Sequence, residues 1–118
     1  MEIPVELKDA IEALGHPVRI KIVEYLYDGR EATYTELLRV TGVRKGSLTY
    51  HLDILTRAAV VGAWSRLDGN LGDMRRAGYM LSPWGKEVID GLISNYYSMI
   101  SPEKVAPRII AKVSGGAL

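Results

Sequence analysis

The tightest constraint on this chain lies between residues 33 and 81, where two short helical patterns meet at Gly42 and two strand patterns follow at once. Thr33 or Thr35 can cap the first helix, and a Thr33 cap sets Glu36 three residues on, in capping-box register. Leu37, Leu38 and Val40 supply its buried side. Gly42 can take the positive φ that a tight inter-helix turn needs. The second helix covers about residues 44–58, a length of roughly 20 Å. Its apolar stripe is Leu48, Leu52 and Leu55, and its opposite face carries Arg44, Lys45, Ser47, Thr49, Tyr50 and His51. "AVVGAWSRL" and "MRRAGYML" then read as two strands, with "DGNLGD" supplying the turn chemistry between them. Ala77, Tyr79 and Leu81 alternate onto what is expected to be the core face.

Helical spacing brackets this segment on both sides. Pro4 suits a first turn, and Ile3, Leu7, Ala10/Ile11 and Leu14 follow at helical intervals up to Gly15. "GHP" then punctuates, with Pro17 placed to open a second helix whose core stripe is Ile22, Val23 and Leu26; "YDG" at 27–29 ends it. Near the C-terminus Ser82 reads as a cap with Pro83 at the first helical position, ahead of a long stripe of Val88, Ile89, Leu92, Ile93, Tyr96 and Ile100. The order α-α-α-α-β-β-α predicts a mainly α fold with a small β-hairpin, a winged helix-turn-helix over residues 1–100. Residues 101–118 hold two prolines and no clean period, and form an unassigned tail.

Composition narrows the functional classes. A chain of 118 residues, 47% hydrophobic and 25% charged, is expected to form one domain with one modest core. No apolar run approaches the ~20 residues that span a bilayer, and the N-terminal "MEIPVELKDAIEALG" lacks the basic and apolar regions of a signal peptide. A cytoplasmic protein with no membrane association is therefore expected. With no cysteine there are no disulfides, thiolate metal sites or thiol nucleophiles. Two histidines without neighbouring ligands make a poor metal site. Ser47 and His51 lie one helical turn apart with no third catalytic group placed by the sequence, and phosphate-loop and H-E-x-x-H motifs are lacking. Neither an enzyme nor a cofactor is expected. The missing cysteine and glutamine, with plentiful Arg, Lys and Glu, point to a thermophilic source.

The net charge of +1 conceals a segregation. Residues 30–86 hold nine Lys/Arg against five Asp/Glu, a balance of +4; the flanks hold six against nine, a balance of −3. A basic middle between acidic ends marks a nucleic-acid surface. The helix beginning at Arg44 offers donors where a groove-binding helix needs them. Arg44 or Lys45 can pair with guanine or phosphate, and Ser47, Thr49 and Tyr50 can donate to phosphate or a base edge. His51 is expected to bond phosphate or neighbouring backbone. Arg66, Arg75 and Arg76 flank the hairpin tip, where each can neutralise a phosphate or pair with Asp68 and Asp73. Arg57 suits either a phosphate or the dipole of its own helix C-terminus.

Three phrases carry a resemblance. "ALGHPVRIKIVEYL", "TYTELLRVTGVRKGSLTYHLDIL" and "GYMLSPWGKEVI" resemble the ArsR-type winged helix-turn-helix regulators, the last phrase being similar also to MarR-type proteins. The resemblance covers roughly residues 10–92 and implies a homodimeric repressor or activator, with one helix in the major groove and a hairpin wing beside the phosphates. It places the DNA-contacting positions on Arg44, Lys45, Ser47, Thr49, Tyr50 and His51. Where metal-sensing members carry cysteines on the third helix, this chain has "TYTELLRV", so no metal is expected there. One core has trouble covering both terminal helices, so Leu7, Ile11, Leu14, Val88, Ile89, Leu92, Ile93 and Tyr96 are expected to pair two copies across a two-fold axis. The expected partners are double-stranded DNA and a second copy; no effector is indicated. Two other readings use the same scaffold: a winged-helix protein-interaction module, or an architectural DNA binder of low sequence specificity.

Overall fold

In the computed structural model, which describes residues 1–64 and 78–100, the chain runs through α1 (Val5–Ala13), α2 (Pro17–Leu26), β1 (Ala32–Thr33), α3 (Tyr34–Thr41), α4 (Lys45–Arg57), β2 (Val61–Trp64), β3 (Gly78–Leu81) and α5 (Pro83–Met99). The three strands form one antiparallel sheet in the order β1-β3-β2. Ala32 pairs with Tyr79 on one side of β3, and Val61 pairs with Leu81 on the other. The expected hairpin is thus a three-stranded sheet. A two-residue strand such as β1 is too short to show a period of two, so its pairing is visible only in three dimensions.

Local chemistry sets the helix ends. His16 Nδ1 accepts from the Val18 N–H (3.1 Å) and caps α2, with Pro17 at its first position. Of the two candidate threonines it is Thr33 that caps α3. Its hydroxyl accepts from the Glu36 N–H, and the Glu36 carboxylate reaches back to the Thr33 N–H, closing a capping box. Gly42 ends α3 at φ +69°, its N–H bonded to the Leu38 carbonyl at 2.8 Å. Ala59, at φ +59°, turns α4 into the sheet. Its N–H bonds the Thr56 carbonyl and the Val60 N–H bonds the Leu55 carbonyl, a Schellman motif with alanine where glycine is usual. The strand therefore starts at Val61, two residues later than its apolar run begins.

Leu48, Leu52 and Leu55 of α4 pack with Ile22 and Leu26 of α2, Leu37 of α3 and Tyr79 of β3 in a core where each is at most 1% exposed. Burying side chains of this size contributes about 1.5–3 kcal/mol apiece. In α3, Leu38 and Val40 are only half-buried, and Tyr34 takes the inward place beside Leu37. Helix α1 decides between the Ala10 and Ile11 that its periodicity left as alternatives. Ala10 and Ala13 are fully buried, whereas Ile11 is 50% exposed and Leu7 and Leu14 are half-buried. Small side chains let a short helix approach closely, and the larger ones are left outside.

The chain separates into two units, residues 1–86 and 87–118. The first includes the opening turn of α5, which is fixed to the sheet entry. Ser82 donates its N–H to the Val60 carbonyl, and its hydroxyl accepts from the Gly85 N–H at 2.8 Å. A Cβ at Gly85 would fall 2.2 Å from the Val60 oxygen, so only glycine permits this approach. In the second unit α5 runs on to Met99. There Leu92, Ile93, Tyr96, Tyr97 and Ile100 are all exposed, and Val88 and Ile89 are half-buried. Among the described residues no helix is long and apolar enough to cross a membrane.

Candidate nucleic-acid interface

Helix α4 separates its two faces cleanly. The leucine stripe is buried, and Arg44, Lys45, Gly46, Thr49 and Tyr50 are exposed, with Ser47 half-buried beside them. Tyr50 is 61% exposed, a large aromatic ring left in solvent on this face. Neither Arg44 nor Lys45 has an acidic partner among the described residues, so two cations stand free at the start of the helix.

The backbone there is open as well. His16, Thr33 and Ser82 cap α2, α3 and α5, whereas Arg44, the N-cap of α4, makes no side-chain capping bond. The first N–H groups of α4 therefore face outward with the positive end of the helix dipole behind them. Gly46 has nothing within 4 Å of where a Cβ would stand, so its backbone can be approached from outside. Free cations, open amides and an uncovered glycine together form a surface suited to anionic oxygens.

The far end of the helix is self-neutralised. Arg57 reaches Asp53 one turn back at 3.0–3.1 Å, with the arginine side chain 80% exposed. An exposed i,i+4 pair of this kind contributes about 0.3–0.5 kcal/mol. Positive charge is thus concentrated at the N-terminal half of α4.

Two residues that the pattern alone did not single out hold this surface in place. The Tyr34 hydroxyl donates to the Lys45 carbonyl (2.7 Å) and stands 2.7 Å from the Thr49 hydroxyl, tying α3 to the first turn of α4. Arg19 is buried and donates through Nε to the Ala13 carbonyl (2.7 Å) and, more weakly, through Nη2 to the Glu12 carbonyl (3.4 Å), closing the end of α1. Its third partner is Nδ1 of His51, at 2.9 Å. The arginine belongs to the "ALGHPVRIKIVEYL" phrase, but its target lies 32 residues away.

His51 must accordingly be removed from the outer face. It is 5% exposed, inside the corner of α1, α2 and α4, with its ring 4.4 Å from that of His16. The helical angle places it at the edge of the polar face, and the bond to Arg19 draws it inward. Burial, followed by the positive charges of His16 and Arg19, pushes its pKa below the usual histidine value. Arg66, Arg75 and Arg76, with Asp68 and Asp73, lie outside the described residues. Among the described residues no three His, Cys, Asp or Glu side chains gather as metal ligands would.

Residues 14–61, from the end of α1 to the start of β2, match the family model described as a helix-turn-helix domain. No curated protein matches the sequence. Among solved structures, the Rv0081 protein of Mycobacterium tuberculosis is 28% identical, with 85% of this chain and 94% of that one covered at a TM-score of 0.62. A transcriptional regulator homologue from Pyrococcus horikoshii is 25% identical over 82% and 95%, with a TM-score of 0.61. A homodimeric winged helix-turn-helix DNA-binding domain from Mycobacterium bovis, described as a possible ArsR-family regulator, is 16% identical over 80% and 81%, with a TM-score of 0.62. Its likeness is one of fold. This chain carries a helix-turn-helix domain at residues 14–61, set within a winged helix-turn-helix fold.

Proposed function

We propose that the protein is a transcription regulator that binds double-stranded DNA as a homodimer, with α4 in the major groove. The observation that carries this reading is the N-terminal half of α4. It presents Arg44, Lys45, Thr49 and Tyr50 outward beside uncapped backbone amides, on a helix-turn-helix scaffold. A major groove about 12 Å wide admits one helix, and residues at its start reach base edges. Arg44 and Tyr50 read bases, Lys45 and Ser47 bind phosphate, and Thr49, whose proton goes to the Tyr34 hydroxyl, can accept from a base edge. Arg66, Arg75 and Arg76, which fall between β2 and β3 in sequence, add phosphate contacts, and Arg57 is a weak contributor because Asp53 already neutralises it. The regulator acts in the cytoplasm, by binding and not by catalysis.

Homodimerisation rests on the exposed apolar faces of the terminal helices. Ile11, Leu92, Ile93 and Tyr96 are 42–59% exposed, beside half-buried Leu7, Leu14, Val88 and Ile89. A second copy that covers such faces across a two-fold axis sets two α4 helices toward half-sites one DNA turn, ~34 Å, apart. The M. bovis relative is itself described as homodimeric.

Fluorescence anisotropy with a random duplex and with the chain's own upstream region, across a salt series, tests this function. The expected result is salt-dependent binding that favours the upstream duplex and weakens by roughly tenfold in Arg44→Ala and in Tyr50→Ala. Equal affinity for both duplexes points to the architectural role. No binding at low salt overturns the DNA reading and leaves a protein partner for α4.

A further inference from the structure

We propose that His51 and Arg19 form an acid-released latch that fixes α4 to the corner between α1 and α2. A guanidinium has donors only, so His51 Nδ1, 2.9 Å from Arg19, must accept. The ring is therefore neutral, with its proton on Nε2. A proton at Nδ1 removes the acceptor and sets an imidazolium against a buried cation. His16 stands beside it, its Nδ1 accepting the Val18 N–H and its ring centroid 4.4 Å from that of His51. Acid at His51 thus sets a second positive charge against the buried guanidinium.

The surroundings offer no relief. Helix α2 and its cap contribute Arg19 and His16, α4 contributes the edge of Tyr50 at 5.2 Å, and α1 contributes the Glu12 and Ala13 carbonyls to Arg19. Among the described residues no carboxylate pairs with any of the three basic groups. The sign follows from linkage. The native state disfavours protonated His51, so the latch is fully engaged above the unfolded histidine pKa, about 6.5, and is lost as pH falls through the lower native value. In this respect α4 differs from α3, whose contact to it through Tyr34, Lys45 and Thr49 uses groups that do not titrate near neutrality.

The test uses the free full chain, so it stands apart from whether DNA is the partner. Long-range nitrogen NMR follows the two histidine rings from pH 8 to 5, while amide hydrogen exchange follows Leu48 and Leu52 of α4, corrected for intrinsic pH dependence. The same series is run on His51→Asn, whose Oδ1 accepts near the Nδ1 position without titrating. In the native chain His51 should hold its Nε2–H tautomer and titrate below 6.5. Exchange in α4 should quicken by about tenfold for each pH unit by which the native pKa is lowered, once the ring is charged. In His51→Asn the acceleration should shrink to roughly a third or less of that expectation. A His51 midpoint at or above 6.5 overturns the latch, as does α4 exchange indifferent to its charge. Equal acceleration in the variant does the same. Should the variant fail to fold, the native titration and exchange decide alone.

Discussion

The Tyr34 hydroxyl lies 2.7 Å from both the Lys45 carbonyl oxygen and the Thr49 hydroxyl, so the first residue of α3 fixes the first turn of α4. Because the tyrosine donates to the carbonyl, the threonine must donate to the tyrosine. The angle of the helix-turn-helix is held at its outer end by these two bonds and at its inner end by leucine packing. Tyr34→Phe keeps the buried ring and removes both bonds, and should cost about 1–2 kcal/mol. For a domain of this size that lowers Tm by roughly 4–8 °C for each kcal/mol, readable by circular dichroism. An unchanged Tm would show that the packing alone sets the angle.

Gly46 separates stability from binding. It lies within α4 with open space where a side chain would be, so Gly46→Ala should raise stability by about 0.5–1 kcal/mol through helix propensity. If a phosphate comes close to the backbone there, the added methyl must weaken DNA binding at the same time. Denaturant titration and anisotropy on the one variant measure both quantities. Affinity that rises together with stability would refute close phosphate approach at this turn.

Ala59 occupies the left-handed region at the end of α4, where an alanine is strained by about 1–2 kcal/mol. Glycine removes that strain and gives back about 0.5–1 kcal/mol in unfolded-state entropy. Ala59→Gly should therefore stabilise the fold by up to about 1 kcal/mol, with Val60 and Leu55 still buried against each other. A melting curve shifted downward would mean that the methyl group makes packing contacts worth more than its backbone cost.

Leu92 is 58% exposed in the middle of the α5 stripe. Leu92→Asp places a charge where the proposed two-fold contact would bury it, and should yield monomers in sedimentation velocity with the single-chain fold intact. DNA affinity should fall with it, since one half-site contact is lost. A variant that stays dimeric would move the interface elsewhere on the chain.

Much of the candidate site was legible beforehand because it depends on neighbours in sequence. The α4 polar face follows from residues three and four apart, which share a side of a helix whatever the rest of the chain does. His51 escaped that reasoning. Helical geometry puts it at a boundary between faces, and only a buried arginine 32 residues upstream decides which way it turns. Tyr34 went unnoticed for the same reason, since its partners belong to the next helix.

Taken alone, the amino-acid order determined the helices, the Ser82 cap, the choice of Thr33 or Thr35 for the α3 cap, the Gly42 turn and the charge gradient along the chain. Each is a local effect, set by the conformational preferences and hydrogen-bonding reach of residues within about four positions. Tertiary structure decided the rest. It added β1 to the sheet through the pairing of Ala32 with Tyr79, chose Ala10 over Ile11 for the inner face of α1 and buried Ala13 beside it, and drew His51 to Arg19. These outcomes join residues distant in sequence, where competing contacts of similar local merit are separated only by the volume available and by the partner that reaches a polar group first.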